Sequence, residues 1–212
     1  AFYDLDGTRH TTLPMLKSST ESNTESQDLN FVSNTTPGLV CAHHHLYSSL
    51  ARGIPAPHQT PRNFIEILQQ VWWKLDAALD ADMIYWSTAL GAVEALMNGT
   101  TAIVDHHESP NSIEGSLSII ARACSDVGVR VNTCYGISDR WDDLGNLHSK
   151  ISPLSPMSGA AKRGLAECER FIAEGGNGMV GVHAAFTCGD DTLSAAAQLA
   201  KKLNVGVHIH VA

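Results

Sequence analysis

Short apolar runs alternate with longer stretches of helical periodicity from about residue 38 onward. The short runs are rich in β-branched residues, which is typical of strands, and the longer stretches repeat apolar residues three and four positions apart, which predicts helices. The predicted strands are 38–45, 100–107, 129–136, 179–186 and 205–211. The predicted helices are 63–80, 81–98, 112–127, 160–173 and 190–204, the last capped by Asp190-Asp191. The pattern therefore predicts five strands and four crossovers.

Strands that alternate with helices pair in parallel, in either an open doubly wound sheet or a (β/α) barrel. Polar residues cluster where the predicted strands end, at His43 and His45, at 105–107, at His183, and at 208–210. Both architectures place active sites at such ends, and a barrel draws them from several strands at once. The first strand lacks a glycine-rich phosphate loop, since His-His-His-Leu-Tyr follows it. The polar pattern thus favours the barrel only weakly.

The first 37 residues differ in kind from the rest. Segment 18–36 is rich in Ser, Thr and Asn and holds few large apolar residues, which predicts a loop or a disordered insert. We therefore expect a polar N-terminal segment over 1–37 and an α/β domain over 38–212.

Composition narrows the function classes. A chain of 212 residues can bury one sizeable core, and its formal charge of −8 without a Lys/Arg cluster argues against a nucleic-acid polymer as partner. No apolar stretch reaches the roughly 18 residues of a membrane span. Five cysteines without a CxxC pair suit reduced thiols, so we expect a cytoplasmic protein.

Histidine is the one residue type in surplus, with 11 copies that occur in clumps. Side chains alternate along a strand, so His43 and His45 share a face while His44 points away, and His208 and His210 share a face likewise. Imidazole nitrogens suit zinc, iron or nickel, and two ligands plus a third from a distant strand leave one position open for water. A bound ion lowers the pKa of that water toward about 7, which favours hydrolysis.

The residue pattern alone leaves the roles of the other strand histidines undecided. Alternation lets only one of His106 and His107 face inward, as a ligand, as a support for a ligand or as a structural group. His183 is either a ligand or a group that polarises substrate. His44 is expected to pack behind its strand, and no role follows for His208 beyond the face it shares.

Four segments carry a specific resemblance. PGLVCAHHHL at 37–46 and VHIHVA at 207–212 resemble the first-strand and fifth-strand motifs of the amidohydrolase superfamily. NGTT at 98–101 with VDHH at 104–107, and GVHAAFT at 181–187, are similar to the second and fourth strands of its chlorohydrolase and aminohydrolase branch, which includes purine, pyrimidine and triazine deaminases. The resemblance spans about 37–212 and implies an α/β fold: a partial (β/α)8 TIM-type barrel with about its first five parallel strands.

The resemblance also implies roles for single residues. His43, His45 and His210 would be metal ligands, and His183 would contact the heterocycle. No lysine lies on a predicted strand to bridge two metals, so one divalent metal is expected, zinc first and iron as the alternative. Segment 1–37 would hold a remnant of the family's small β domain, and a homodimer is a family-level expectation.

Two aromatic residues after the first strand, Tyr47 and Trp72, stand where a loop would cover a substrate. Packing within a helix explains Trp72 and its neighbour Trp73 equally well. Tyr47 and Trp72 are therefore carried forward as candidate substrate contacts.

The sequence departs from the family pattern in three places. The family has a glutamate three residues after the fifth-strand histidine, and that position would fall just beyond Ala212. The sixth-strand histidine and the eighth-strand aspartate of the family are absent from these residues. The polar insert also separates Leu13-Pro14 from Pro37-Gly38. We therefore expect a fragment of a longer amidohydrolase, with weak metal binding and negligible turnover if these residues are the whole molecule.

The function that this resemblance implies is hydrolysis of a C–N bond other than a peptide bond, most simply deamination of a purine, pyrimidine or triazine-like heterocycle. The partner is then a small heterocyclic substrate. One alternative is a non-catalytic remnant that pairs its open sheet edge with another chain. A hydrolase of cyclic amides is disfavoured by the missing bridging lysine.

Overall fold

The computed structural model describes residues 2–3, 9–10, 36–148 and 151–211. The polar insert predicted at 18–36 therefore lies outside the described residues, apart from Thr36. The chain divides into two compact units, Ala1–Gly38 and Leu39–Ala212. In the first unit, strand β1 (Phe2–Tyr3) pairs antiparallel with β2 (Arg9–His10).

The second unit is a mixed α/β structure with parallel strands, as the alternating pattern predicts. Its strands are β3 (Leu39–His44), β4 (Thr100–His107), β5 (Arg130–Tyr135), β6 (Val180–Ala184) and β7 (Val207–His210). The pairs β3–β4, β4–β5 and β6–β7 are parallel, and two parallel bridges, Thr133 with Gly178 and Ile137 with Val182, link the β5 and β6 segments. The described strands of this unit thus follow one another in chain order, without the reversal that marks a doubly wound sheet.

Helices fill the crossovers. They are α1 (Phe64–Ile67), α2 (Trp73–Ala78), α3 (Ala81–Met97), α4 (Ser116–Val127), α5 (Gly159–Ala173) and α6 (Asp190–Leu203), with 3₁₀ turns at Leu46–Ala51 and Ala185–Thr187 and a π-helical turn at Leu68–Trp72. The helix predicted over 63–80 spans 64–78, and its hydrogen bonding changes to a π-helical pattern at Leu68–Trp72.

One predicted helix start is shifted, and one predicted helix cap differs. The helix predicted from 112 begins at Ser116, because Gly115 adopts a φ of +80° that ends the preceding loop. The cap of α6 is Gly189, and Asp190 and Asp191 lie in the first turn, where they still favour the positive end of the helix dipole. At the other end of α4, Gly128 terminates the helix with a φ of +98°, as predicted.

The core lies between the central strands and the helices that cover them. Fully buried residues include Ile103 on β4, Ile120 on α4 and Val180 on β6. Each such side chain contributes about 1.5–3 kcal/mol by leaving water. The outer strands differ, since Leu39 and Val40 of β3 are 62% and 65% exposed and Val207 of β7 is 43% exposed. All five cysteines are free thiols, four of them buried.

Among the described residues, none of the helices combines the length and the apolar character needed to cross a membrane.

Candidate metal centre

Three imidazoles from opposite ends of the second unit meet at the carboxyl ends of its strands. His43 lies on β3, His45 is the first residue after that strand, and His210 is the last residue of β7. The Nε2 atom of His210 lies 3.3 Å from Nε2 of His43 and 3.3 Å from Nε2 of His45. Candidate ligand nitrogens of all three residues lie within 4.8 Å of one another. The structure thus brings together the residues that the resemblance implies as ligands.

Hydrogen bonds fix the tautomers of two of these imidazoles. The Nδ1–H of His45 donates to the carbonyl oxygen of His106 at 2.8 Å, and the Nδ1–H of His210 donates to the carbonyl oxygen of His183. A carbonyl only accepts, so Nδ1 carries a proton in both rings, and in a neutral ring Nε2 is then bare. Burial lowers the pKa of His45 to about 4, so this ring is neutral at pH 7.

Two bare Nε2 atoms 3.3 Å apart direct lone pairs into one space, and that arrangement calls for a cation between them. Zinc–nitrogen bonds of about 2.0–2.1 Å at tetrahedral angles separate ligand nitrogens by roughly 3.3–3.4 Å. The two Nε2–Nε2 distances to His210, both 3.3 Å, match that value. Three nitrogen ligands leave a fourth position, which is the arrangement of a catalytic rather than a structural site.

A buried carboxylate holds the chain directly after His45. Asp105, near the end of β4, accepts a hydrogen bond from the backbone N–H of Leu46 at 2.8 Å and one from Oγ1 of Thr133 at 3.1 Å. Burial raises the pKa of Asp105 to about 7, and the two donors oppose that rise. The pairing of β3 with β4 also shifts register between Cys41 and His44, an irregularity of the kind that re-aims side chains at sites.

The histidines left open by the sequence take supporting positions. Nε2 of His208 lies 2.8 Å from Nδ1 of His43. His106 is buried, with its Nε2 bonded to the carbonyl oxygen of Val182 at 3.1 Å, while its own carbonyl orients His45. His107 is also fully buried, with its Nε2 2.8 Å from Oγ of Ser109. The structure therefore places the rings of His106 and His107 in buried hydrogen bonds.

His183 lies beside the three imidazoles, its ring centroid 5.7 Å from that of His210. Its Nδ1 lies 3.0 Å from Oγ1 of Thr187, whose hydroxyl donates to the carbonyl of Ala184 at 2.9 Å. Because that hydroxyl has only one hydrogen, His183 must donate from Nδ1, which leaves its Nε2 bare. Burial lowers the pKa of His183 to about 3, so the ring is neutral.

Sequence reasoning missed a buried carboxyl group that faces His183. Oε2 of Glu108 lies 3.5 Å from Nε2 of His183, and Oε1 accepts a hydrogen bond from Nε1 of Trp141 at 2.7 Å. Burial raises the pKa of Glu108 to about 7. Its place directly after His107, at the carboxyl end of a strand, is the signal that marks it as a candidate. Asp76 is a second buried carboxyl group that was missed, and its pKa is likewise raised by burial.

The two aromatic candidates border the centre. The ring centroid of Tyr47 lies 5.7 Å from that of His45, and the centroid of Trp72 lies 6.0 Å from it. Tyr47 is buried on the 3₁₀ turn after β3, and Trp72 is half-buried on the π-helical turn. Trp73 instead packs in the core, with the guanidinium of Arg140 3.8 Å above its ring.

Comparisons with known proteins bear on the family of this chain. The model of the amidohydrolase family matches residues 34–212. A 5-methylthioadenosine/S-adenosylhomocysteine deaminase of Symbiobacterium thermophilum is 34% identical over 175 residues, which are 82% of this chain and 36% of that protein. A 5'-deoxyadenosine deaminase of Methanocaldococcus jannaschii is 30% identical over 181 residues, 82% of this chain and 37% of that protein.

A solved structure shares the fold. The atrazine chlorohydrolase of Arthrobacter aurescens, determined in complex with zinc, superposes with a TM-score of 0.64 at 20% identity, covering 83% of this chain and 41% of that one. The chain spans little more than a third of the curated relatives it matches. The family model matches most of the chain, so the chain belongs to the amidohydrolase family.

Proposed function

We propose that this chain forms the first five strands of a (β/α)8 barrel in a metal-dependent deaminase of a purine or related nitrogen heterocycle. Family membership and the deaminases among its relatives support hydrolytic deamination of a heterocycle. The strand order of the second unit supports the barrel, because neighbours in a (β/α)8 barrel follow chain order. The observation that carries the proposal is the convergence of the Nε2 atoms of His43 on β3, His45 directly after β3, and His210 on β7.

His43, His45 and His210 would hold one divalent cation, with zinc favoured by the nitrogen donors and their spacing. When bound, such a cation acts as a Lewis acid and lowers the pKa of water toward about 7. In the overall reaction water adds to the ring carbon that bears the amino group and the C–N bond breaks. The amino group leaves as ammonia with one hydrogen of that water, and the oxygen and the other hydrogen remain on the product.

His183 would orient the heterocycle. Its Nδ1–H is committed to Thr187, so its bare Nε2 can accept a hydrogen bond but cannot donate one while the ring is neutral. A ring N–H or an exocyclic amino group supplies that donor. This residue therefore favours substrates that present an N–H toward β6.

Glu108 would hold a proton beside His183. Oε1 is occupied by Trp141, and Oε2 faces Nε2 of His183 without another hydrogen-bond partner among the described residues. A carboxyl group with a pKa of about 7 gives up and regains a proton near neutral pH, as a general acid or base requires. Tyr47 and Trp72 would offer aromatic surface to the ring of the substrate.

An ammonia-release screen tests this function. The purified protein, dialysed against a chelator and reloaded with zinc, is assayed on 5'-methylthioadenosine, S-adenosylhomocysteine, 5'-deoxyadenosine, guanine, cytosine and an aminotriazine, with chloride release from atrazine as a separate arm. We expect ammonia from at least one aminated heterocycle, at a low rate if these residues are the whole molecule, and a loss of at least about 100-fold in kcat/KM for Glu108→Ala if the carboxyl group transfers a proton.

The control is His58→Ala, which removes an exposed loop histidine and should leave the rate unchanged. Chloride release without ammonia release would replace deamination by dechlorination. A zinc-loaded protein that releases neither product would contradict the proposed activity and favour the non-catalytic remnant.

A further inference from the structure

The three candidate ligands differ in the hydrogen-bond partner that orients each imidazole ring. Backbone carbonyls orient His45 and His210, and no side-chain substitution removes them. His43 has a side-chain partner instead, because its Nδ1 lies 2.8 Å from Nε2 of His208. The β7 strand therefore supplies both a candidate ligand and the neighbour of a ligand on β3.

The direction of this hydrogen bond follows from the proposed metal centre. If Nε2 of His43 binds a cation, its Nδ1 carries the hydrogen and donates it. Nε2 of His208 must then accept, and the hydrogen of a neutral His208 lies on its Nδ1. That Nδ1 is buried and has no hydrogen-bond partner within the described part of the chain, so no other contact of His208 competes with this assignment.

We propose that His208 is a positioning residue that accepts the Nδ1–H of His43, fixes its tautomer and ring orientation, and thereby sets the affinity of the centre for its cation. The inference rests on the metal centre of the proposed function. Outer partners of ligand histidines typically change metal affinity 10- to 100-fold when they are removed. His43 needs such a partner most, because it is the most exposed of the three ligands.

Zinc competition with a chromophoric chelator tests this role with zinc alone as the probe. Starting from metal-free protein, His208→Leu is expected to bind zinc about 10- to 100-fold more weakly than the wild type. His208→Gln should recover most of the loss, since the amide oxygen can accept from Nδ1 of His43. His44→Gln is the matched control, because His44 is a half-buried neighbour of His43 and donates no nitrogen to the cluster.

The outcomes separate this inference from the centre itself. Wild-type affinity in His208→Leu, alongside weak binding in His45→Ala and His210→Ala, overturns the role of His208 and leaves the centre standing. Unchanged affinity in all of these variants refutes the centre. Long-range ¹H–¹⁵N spectra of the zinc-loaded wild type need no variant: hydrogen on Nδ1 of His208 supports the role, and hydrogen on Nε2 overturns it.

Discussion

The outer and central strands of the second unit differ in the residues they carry and in how exposed those residues are. The outer strands β3 and β7 carry His43, His208 and His210, and several of their apolar side chains are exposed. The central strands carry buried groups such as Asp105 and His106, and their side chains are mostly inaccessible to water. The candidate ligands thus lie where packing is weakest.

Hydrogen bonds from neighbouring strands, rather than close packing, orient the candidate ligands at the outer strands. The carbonyl of His106, at the buried end of β4, orients His45, and the carbonyl of His183 on β6 orients His210. The central strands therefore serve as the template that aims the more exposed ligands. Changes in the central strands should cost folding stability, whereas changes in the ligands should cost metal binding.

The largest stability effect is expected from Gly181→Ala on β6. A Cβ atom there would lie 2.2 Å from the carbonyl oxygen of Tyr135 on β5, a backbone atom that cannot move without disturbing the strand. We expect a loss of about 3 kcal/mol or more in the free energy of unfolding, measured by urea denaturation.

Gly206→Ala is the matched control beside the outer strand β7. Its nearest neighbour would be Sδ of Met179 at 3.5 Å, an ordinary contact. We expect a change within about 1 kcal/mol. Equal losses in the two variants would remove the distinction between central and outer strands.

A smaller effect concerns the pH dependence of stability. Burial lowers the pKa of His107 to about 3 in the folded protein, whereas its pKa in the unfolded chain is 6.5. Between these two values the unfolded chain binds a proton at His107 and the folded protein does not. The contribution of His107 is fully present above about pH 6.5 and is lost as the pH falls toward 3, reaching a loss of about 2 kcal/mol at pH 5.

His107→Gln isolates that contribution, since Asp105 and Glu108, with raised pKa values, act in the opposite sense in both proteins. Urea unfolding of the metal-free proteins at pH 7.5 and 5.0 should show the variant losing about 2 kcal/mol less than the wild type over this interval. An identical loss would mean that His107 is charged or exposed in the folded protein.

The smallest effects are expected from a pair of neighbours in register. Val180 of β6 is fully buried and pairs with Val207 of β7, which is 43% exposed. Val180→Thr buries a hydroxyl group and should cost about 1–2 kcal/mol, whereas Val207→Thr should stay within about 0.5 kcal/mol, both by urea denaturation. A larger cost at Val207 would show that β7 is covered in solution.

The sequence pattern predicted the strands and most helices because burial imposes periods of two and 3.6 on apolar residues. It missed the π-helical turn at Leu68–Trp72, since an extra residue in a helical turn leaves no separate pattern in one sequence. It also extended the first strand to His45, whereas β3 ends at His44 and a 3₁₀ turn follows.

The candidate ligands were predictable because the spacing of His43 and His45, the His208 and His210 pair, and the family motifs agree. Glu108 was missed although its place after His107 marks it as a candidate, and the burial of Glu108 and Asp76 is not visible in one sequence. The direction of the hydrogen bonds that support the ligands requires coordinates, since it depends on which strand places a carbonyl beside which Nδ1 atom. The proposed role of His208 likewise requires coordinates.

Zinc content tests the central claim most directly. Metal-free wild type, His43→Ala, His45→Ala, His210→Ala and the control His58→Ala are dialysed against zinc, and bound metal per chain is measured by mass spectrometry. At a zinc concentration that saturates the wild type, the account predicts one zinc ion per chain in the wild type and in His58→Ala, and less than about a tenth of that in each ligand variant. Full zinc content in the folded ligand variants would contradict it.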